Sequence, residues 1–250
     1  MSDQQVVVVT GGSRGWGRAI VLRYAQPNTT LVVNYRNNTA AAEATAAEAA
    51  EQGAEVRLVR ADVGQPGGVD TVLDATRSLG HIDVLVHNAF LLAQAPPLEL
   101  EDPIFDEAMA VGPKALLGLL RGGVDLFAEG GGHVVATLSL ATRRVFNKRG
   151  TGYFPMAAAK AALEVAVRYL AIDLAAKNIT VNGVAAGYIA TDSMMAEGQE
   201  LFRQQISAKT PLGRIADPAE VADVVHFLGS PAGRWMTGQI VVADGGFSLI

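Results

Sequence analysis

The 250-residue sequence has no cysteine, which excludes disulfides, thiol nucleophiles and thiolate metal sites. Its four histidines, His81, His87, His133 and His226, are scattered without H-x-x-x-H spacing, so no metal site is expected. Charge is scarce: 18% of residues are charged, and the formal net charge is −5. A nucleic-acid binder needs a cationic footprint to neutralise phosphates, and this composition does not supply one. No apolar run approaches the ~18 residues that cross a bilayer, and the N-terminus leads straight into a strand-like run. The expectation is a cytoplasmic protein with neither a membrane nor a nucleic-acid partner.

Half of the residues are hydrophobic, enough for a sizeable core. Short β-branched runs alternate with longer segments of helical period. Strands are expected at 5–10, 29–36, 54–62, 82–89, 131–139, 178–186 and 238–246. Helices are expected at 17–25, 39–53, from about Pro66, at 102–127, 155–177 and 217–230. Pro113 lies inside the long helix 102–127 and should kink it near Gly112. Continuous apolar strands separated by helices argue for a parallel sheet covered on both faces. Alternation without a linker or repeat predicts one doubly wound α/β domain over 1–250, with about seven strands.

"VVVVTGGSRGWGRAI" places Gly11, Gly15 and Gly17 between the first strand and the first helix. Glycines there let the turn close and the backbone approach a pyrophosphate, while the helix N-terminus supplies amide donors. An acidic residue ending the second strand would bind an unphosphorylated adenosine ribose. This chain has Asn34 and then Arg36, with Arg14 in the loop as a second cation. Guanidinium forks suit a 2′-phosphate, so NADP(H) is expected over NAD(H).

Several motifs together resemble the short-chain dehydrogenase/reductase family along the whole chain: "TGGSRGWG", "ADV" (61–63), "HNA" (87–89), "PLGRIADPAEVADVVHFLGS" and "TGQIVVADGG". The resemblance implies a nicotinamide-dependent reductase. It places Asp62, Asn88 and Lys160 on the cofactor, together with Ser13, Arg14, Trp16, Val63, Ala89, Gly187 and Ile189. It gives Ser139 the role of a substrate-orienting hydroxyl and 187–211 that of a lid; Met194, Met195, Leu201 and Phe202 there suit either the lining of an acyl pocket or a packed surface helix.

The departures from the family pattern are informative. Most members carry Tyr-x-x-x-Lys, but "YFPMAAAK" puts Met156 in that place and Tyr153 seven residues before Lys160. This spacing resembles the NADPH-using subgroup of the enoyl-acyl-carrier-protein reductase branch. Chemistry gives a reason for it. Ketone reduction puts hydride and proton on adjacent atoms, so the tyrosine must stand about one helical turn from the lysine. In an enoyl thioester the hydride adds at Cβ and charge develops on the thioester oxygen, further away. Pro155 fits the first turn of a helix, which leaves Tyr153 just before it. The tyrosine is read as moved, with Tyr153, Lys160 and Ser139 as the catalytic set.

The family's active-site asparagine should fall in "AMAVGPKA", where Ala110 and Gly112 offer no amide. Arg143, Arg144, Lys148 and Arg149 form a cationic stretch suited to an acyl carrier protein or a coenzyme A phosphate, or to no partner at all. The wide apolar circumference of helix 155–177 predicts a homodimer or homotetramer. The leading expectation is reduction of an enoyl thioester by NADPH. The alternatives are a ketoreductase using Tyr153 or Tyr188, a non-catalytic NADP-binding homologue, and a repurposed enzyme.

Overall fold

A computed structural model describes residues 4–145 and 152–250. Seven parallel strands form one sheet in the order β3-β2-β1-β4-β5-β6-β7. They are β1 Gln5–Thr10, β2 Thr29–Tyr35, β3 Glu55–Arg60, β4 Val84–His87, β5 Gly132–Ser139, β6 Ile179–Ala186 and β7 Ile240–Ala243. The helices are α1 Gly15–Tyr24, α2 Thr39–Glu51, α3 Gly68–Arg77, α4 Asp102–Met109, α5 Ala115–Gly123, α6 Phe154–Ala175, α7 Asp192–Met195, α8 Glu200–Lys209 and α9 Pro218–Leu228.

The apolar strands are buried on both faces, as a parallel sheet flanked by helices requires. On one side Val8, Val32, Leu85 and Val134 join Leu116, Leu163 and Val167 from α5 and α6. On the other, Val7, Val9, Val33 and Val86 join Ile20, Val21, Val221 and Val225 from α1 and α9. Each such side chain, fully buried, contributes about 1.5–3 kcal/mol.

The expected helix 102–127 is divided. Between α4 and α5 the chain opens into a wide π-type turn, Ala110–Lys114, in which Gly112 takes φ −87, ψ −105. Pro113 has no N–H to donate, so the regular ladder cannot continue through it. A 3-10 turn, Val124–Leu126, follows α5.

Sequence order reverses between β1 and β4, so the crevice at the carboxyl ends of these strands is the topological switch point where ligands of such folds bind. The glycine loop, the ends of β4, β5 and β6, and the start of α6 all meet that edge.

Candidate active site

Gly11 and Gly15 adopt φ +65 and +54, where only glycine sits without strain. Gly17 has no space for a side chain: a Cβ would lie 2.1 Å from Gly11 O and 2.5 Å from Asn88 Nδ2. Asn88 Nδ2 donates to Gly11 O at 2.9 Å, and Thr10 Oγ1 accepts the Asn88 and Ala89 N–H groups at 3.0 and 3.1 Å. β4 therefore braces the loop from below. Arg14, at the N-cap of α1, is extended and makes no capping bond, which leaves the first amides of the helix for an anion.

The expected cofactor residues divide into two groups. Ser13 accepts Thr45 Oγ1 on its carbonyl, Val63 is buried in the core, and Trp16 packs beneath the loop with its indole N–H buried and unpartnered among the described residues. Gly187 lies against Asp244, where a Cβ would come within 2.9 Å, and Ile189 bridges to Ala216. Thr191, which the sequence reading missed, touches Gly15: a Cβ there would be 3.3 Å from its methyl. The segment after β6 thus closes over the glycine loop.

Asn34 is not at the nucleotide edge. It is buried, donating to Val59 O (3.2 Å) and Ala61 O (2.9 Å) and accepting Gly11 N–H (3.4 Å), which ties the loop to β3. Arg36, just beyond β2, is half exposed and pairs with Asp62 and with Glu107 of α4. Positive-φ glycines, an uncapped helix start and a guanidinium at the strand end fit a phosphorylated dinucleotide.

Lys160 is buried, reaching from α6 across to β5. Its Nζ donates to Thr137 O at 2.6 Å and Thr137 Oγ1 at 3.2 Å, and lies 5.2 Å from the centre of the Phe90 ring. Burial pulls the ammonium down to about 7. Ser139 is two residues further along β5, on the same face as Thr137. Its Oγ accepts Ala141 N–H at 3.2 Å, which leaves the hydroxyl proton uncommitted by that bond.

His87 is buried beneath the wide turn. Its Nε2 is 3.0 Å from Gly112 O and its Nδ1 3.1 Å from Thr10 Oγ1. A carbonyl only accepts, so Nε2 carries the proton and Nδ1 accepts from the threonine. Burial, and then the nearby Lys160 charge, pull the imidazole down to about 3, so it stays neutral. No local pattern singles out this histidine, because its partners come from β1 and the wide turn.

Tyr153 is the N-cap of α6, with Pro155 in the first turn, as expected. It is half-buried and close enough to Tyr188 that its phenol, after burial, helps to push the Tyr188 hydroxyl above its usual range, with Arg144 opposing. Tyr188 meets the Phe202 and Phe247 rings edge-on at 5.7 and 5.4 Å. Tyr188, Phe202 of α8 and Phe247 thus form one aromatic cluster, with Tyr153 near it.

Two of the four cations expected to form a docking patch have internal partners. Arg143 pairs with Glu164, and Arg144 donates to Phe247 O (2.9 Å) and to Ile250 O and stacks on the Phe247 ring. Lys148 and Arg149 lie outside the described residues.

Residues 11–248 match the family model described as enoyl-(acyl carrier protein) reductase. The chain belongs to the short-chain dehydrogenase/reductase family. It is similar to versicolorin reductase stcU of Emericella nidulans, with 31% identity over 98% of this chain and 96% of that protein. It is also similar to 1-cyclohexenylcarbonyl-CoA reductase of Streptomyces collinus, with 33% identity over 99% of this chain and 88% of that one. Among solved structures it resembles the angucycline C-6 ketoreductase LanV with bound NADP, at TM-score 0.88 and 30% identity, covering 98% and 96% of the two chains. Several relatives carry names of carbonyl reductases, among them two chloroplastic aldehyde reductases and the LanV and LugOII ketoreductases, and such names fit carbonyl reduction better than the enoyl reduction expected from Tyr153.

Proposed function

We propose that this family member is an NADPH-dependent reductase whose geometry best suits a carbon–carbon double bond conjugated to a thioester. The observation that carries this reading is the position of the phenols. The side chain one turn before Lys160 is Met156, which cannot protonate an oxygen, while Tyr153 stands two turns away, by about 10 Å of helix. Bound NADPH would supply the hydride. Gly11, Gly15, Gly17 and the α1 amides would hold its phosphates, Arg36 its 2′-phosphate and Lys160 its nicotinamide ribose. Tyr153 would donate a hydrogen bond to the thioester oxygen as charge develops there, Ser139 would orient the acyl group, and the Lys160 charge would favour the enolate. The name of the Streptomyces collinus relative supports an unsaturated acyl-CoA as the substrate class.

Carbonyl reduction is the second reading, and the relatives named as ketoreductases favour it. It would use Tyr153 or Tyr188 as the acid from a position outside the usual turn. Comparing NADPH oxidation with crotonyl and acetoacetyl thioesters separates the two. Faster turnover of the crotonyl substrate is expected, and preference for the acetoacetyl substrate would establish the second reading instead. Absence of turnover with both, alongside NADPH binding, would point to a non-catalytic or repurposed protein. Val165, Tyr169 and Ile172 are exposed along α6 and support assembly of two or four copies, which sedimentation would test.

A further inference from the structure

We propose that Glu107 sets how strongly the nucleotide site selects a 2′-phosphate, by acting as a counter-ion to Arg36. This rests on the NADPH reading above. The Arg36 guanidinium meets carboxylates from two separate elements. Its Nε is 3.3 Å from Asp62 Oδ2 in the loop after β3, and its Nη1 donates to Glu107 Oε1 at 2.6 Å, 71 residues away on α4. The two carboxylates are not equivalent. Asp62 Oδ1 also accepts Gly64 N–H at 3.0 Å, so that carboxylate is part of its own turn. Among the described residues Glu107 has no comparable backbone anchor for its carboxylate, and its bond to Arg36 has the length of a charge-assisted one.

The Arg36 guanidinium thus faces two carboxylates. A phosphate dianion needs the planar fork of Arg36 and must either share it with Glu107 or displace that carboxylate. A ribose with a free 2′-hydroxyl brings no charge and meets no such competition. Glu107 therefore lowers affinity for the phosphorylated dinucleotide while leaving the unphosphorylated one nearly untouched, and so moderates the preference that Arg36 creates. All three side chains are partly exposed, so the effect is screened by salt.

Glu107→Gln keeps an oxygen to accept the Arg36 N–H and removes the charge. The wild type and this variant are titrated with NADPH and NADH by nicotinamide fluorescence, and with 2′,5′-ADP and 5′-AMP by calorimetry. NADPH and 2′,5′-ADP are expected to bind about three- to tenfold more tightly to the variant, with NADH and 5′-AMP changed by less than about twofold. The gain should shrink in about 0.5 M salt. Glu107→Ala, which also removes the acceptor, should shift the NADPH-to-NADH ratio in the same direction. Unchanged or weaker NADPH binding by Glu107→Gln, with NADH binding intact, overturns the proposal, since Glu107 would then serve Arg36 as an orienting group. A wild type that binds NADPH no better than NADH overturns the NADPH reading and this proposal together.

Discussion

The two sides of the crevice are built differently. On the nucleotide side, at β1, β2 and β4, the loop is fixed largely by backbone: positive-φ glycines, the Gly17 contact with Gly11 O, and main-chain bonds gathered on Thr10. On the substrate side, between the wide turn, β5 and α6, the groups are side chains: Lys160 against Thr137 and Phe90, His87 under Gly112, and Tyr153 beside Tyr188. Backbone geometry tolerates few alternatives, so the first side follows its family pattern closely. The second side departs at Gly112 and Met156, because a new side chain can bring a proton donor to a new place without altering the sheet.

The comparison can be broken most forcefully on the substrate side. Lys160→Met should lower turnover of the preferred substrate by at least about 100-fold, measured as NADPH oxidation. Tyr153→Phe should lower enoyl-thioester turnover by about 100-fold while leaving the fluorescence-titrated NADPH affinity within about twofold. An unaffected rate would remove Tyr153 from the chemistry. Adding Met156→Tyr to that variant restores the usual one-turn spacing and should shift the crotonyl-to-acetoacetyl rate ratio towards acetoacetyl.

On the nucleotide side the response should be one of stability. Gly17→Ala forces a methyl against Gly11 O and should cost about 2–3 kcal/mol in chemical denaturation, together with loss of NADPH binding. A stable variant would show that the loop is looser than its contacts imply. A final effect, the smallest per pH unit, concerns His87. Its imidazole takes up a proton near 6.5 when unfolded but only near 3 when folded. Between those values the unfolded chain binds the extra proton, so this group makes stability fall as pH falls from 6.5, by up to about 1.4 kcal/mol per pH unit. His87→Asn should flatten that part of a plot of Tm against pH.

Much of the fold was legible because its signals are local. Continuous valine runs and the position of Pro155 each act within a few residues. The break in helix 102–127 was legible at Pro113, though the width of the turn was not, since it depends on His87 meeting Gly112 from another element. Asn34 was the least legible of the nucleotide-side residues. Its place in the sequence pointed to the ribose, and its actual partners are backbone groups on the glycine loop and on and just beyond β3.

By itself the sequence determined the alternating α/β architecture, the glycine loop and the unusual distance between Tyr153 and Lys160, because chain spacing and backbone preference are properties of adjacent residues. Tertiary structure alone decided that Lys160 is buried against Thr137, that His87 meets Gly112 O beneath the wide turn, and that Arg36 is shared between Asp62 and Glu107. Burial and charge pairing depend on which distant segments meet, and only the folded sheet brings those segments together.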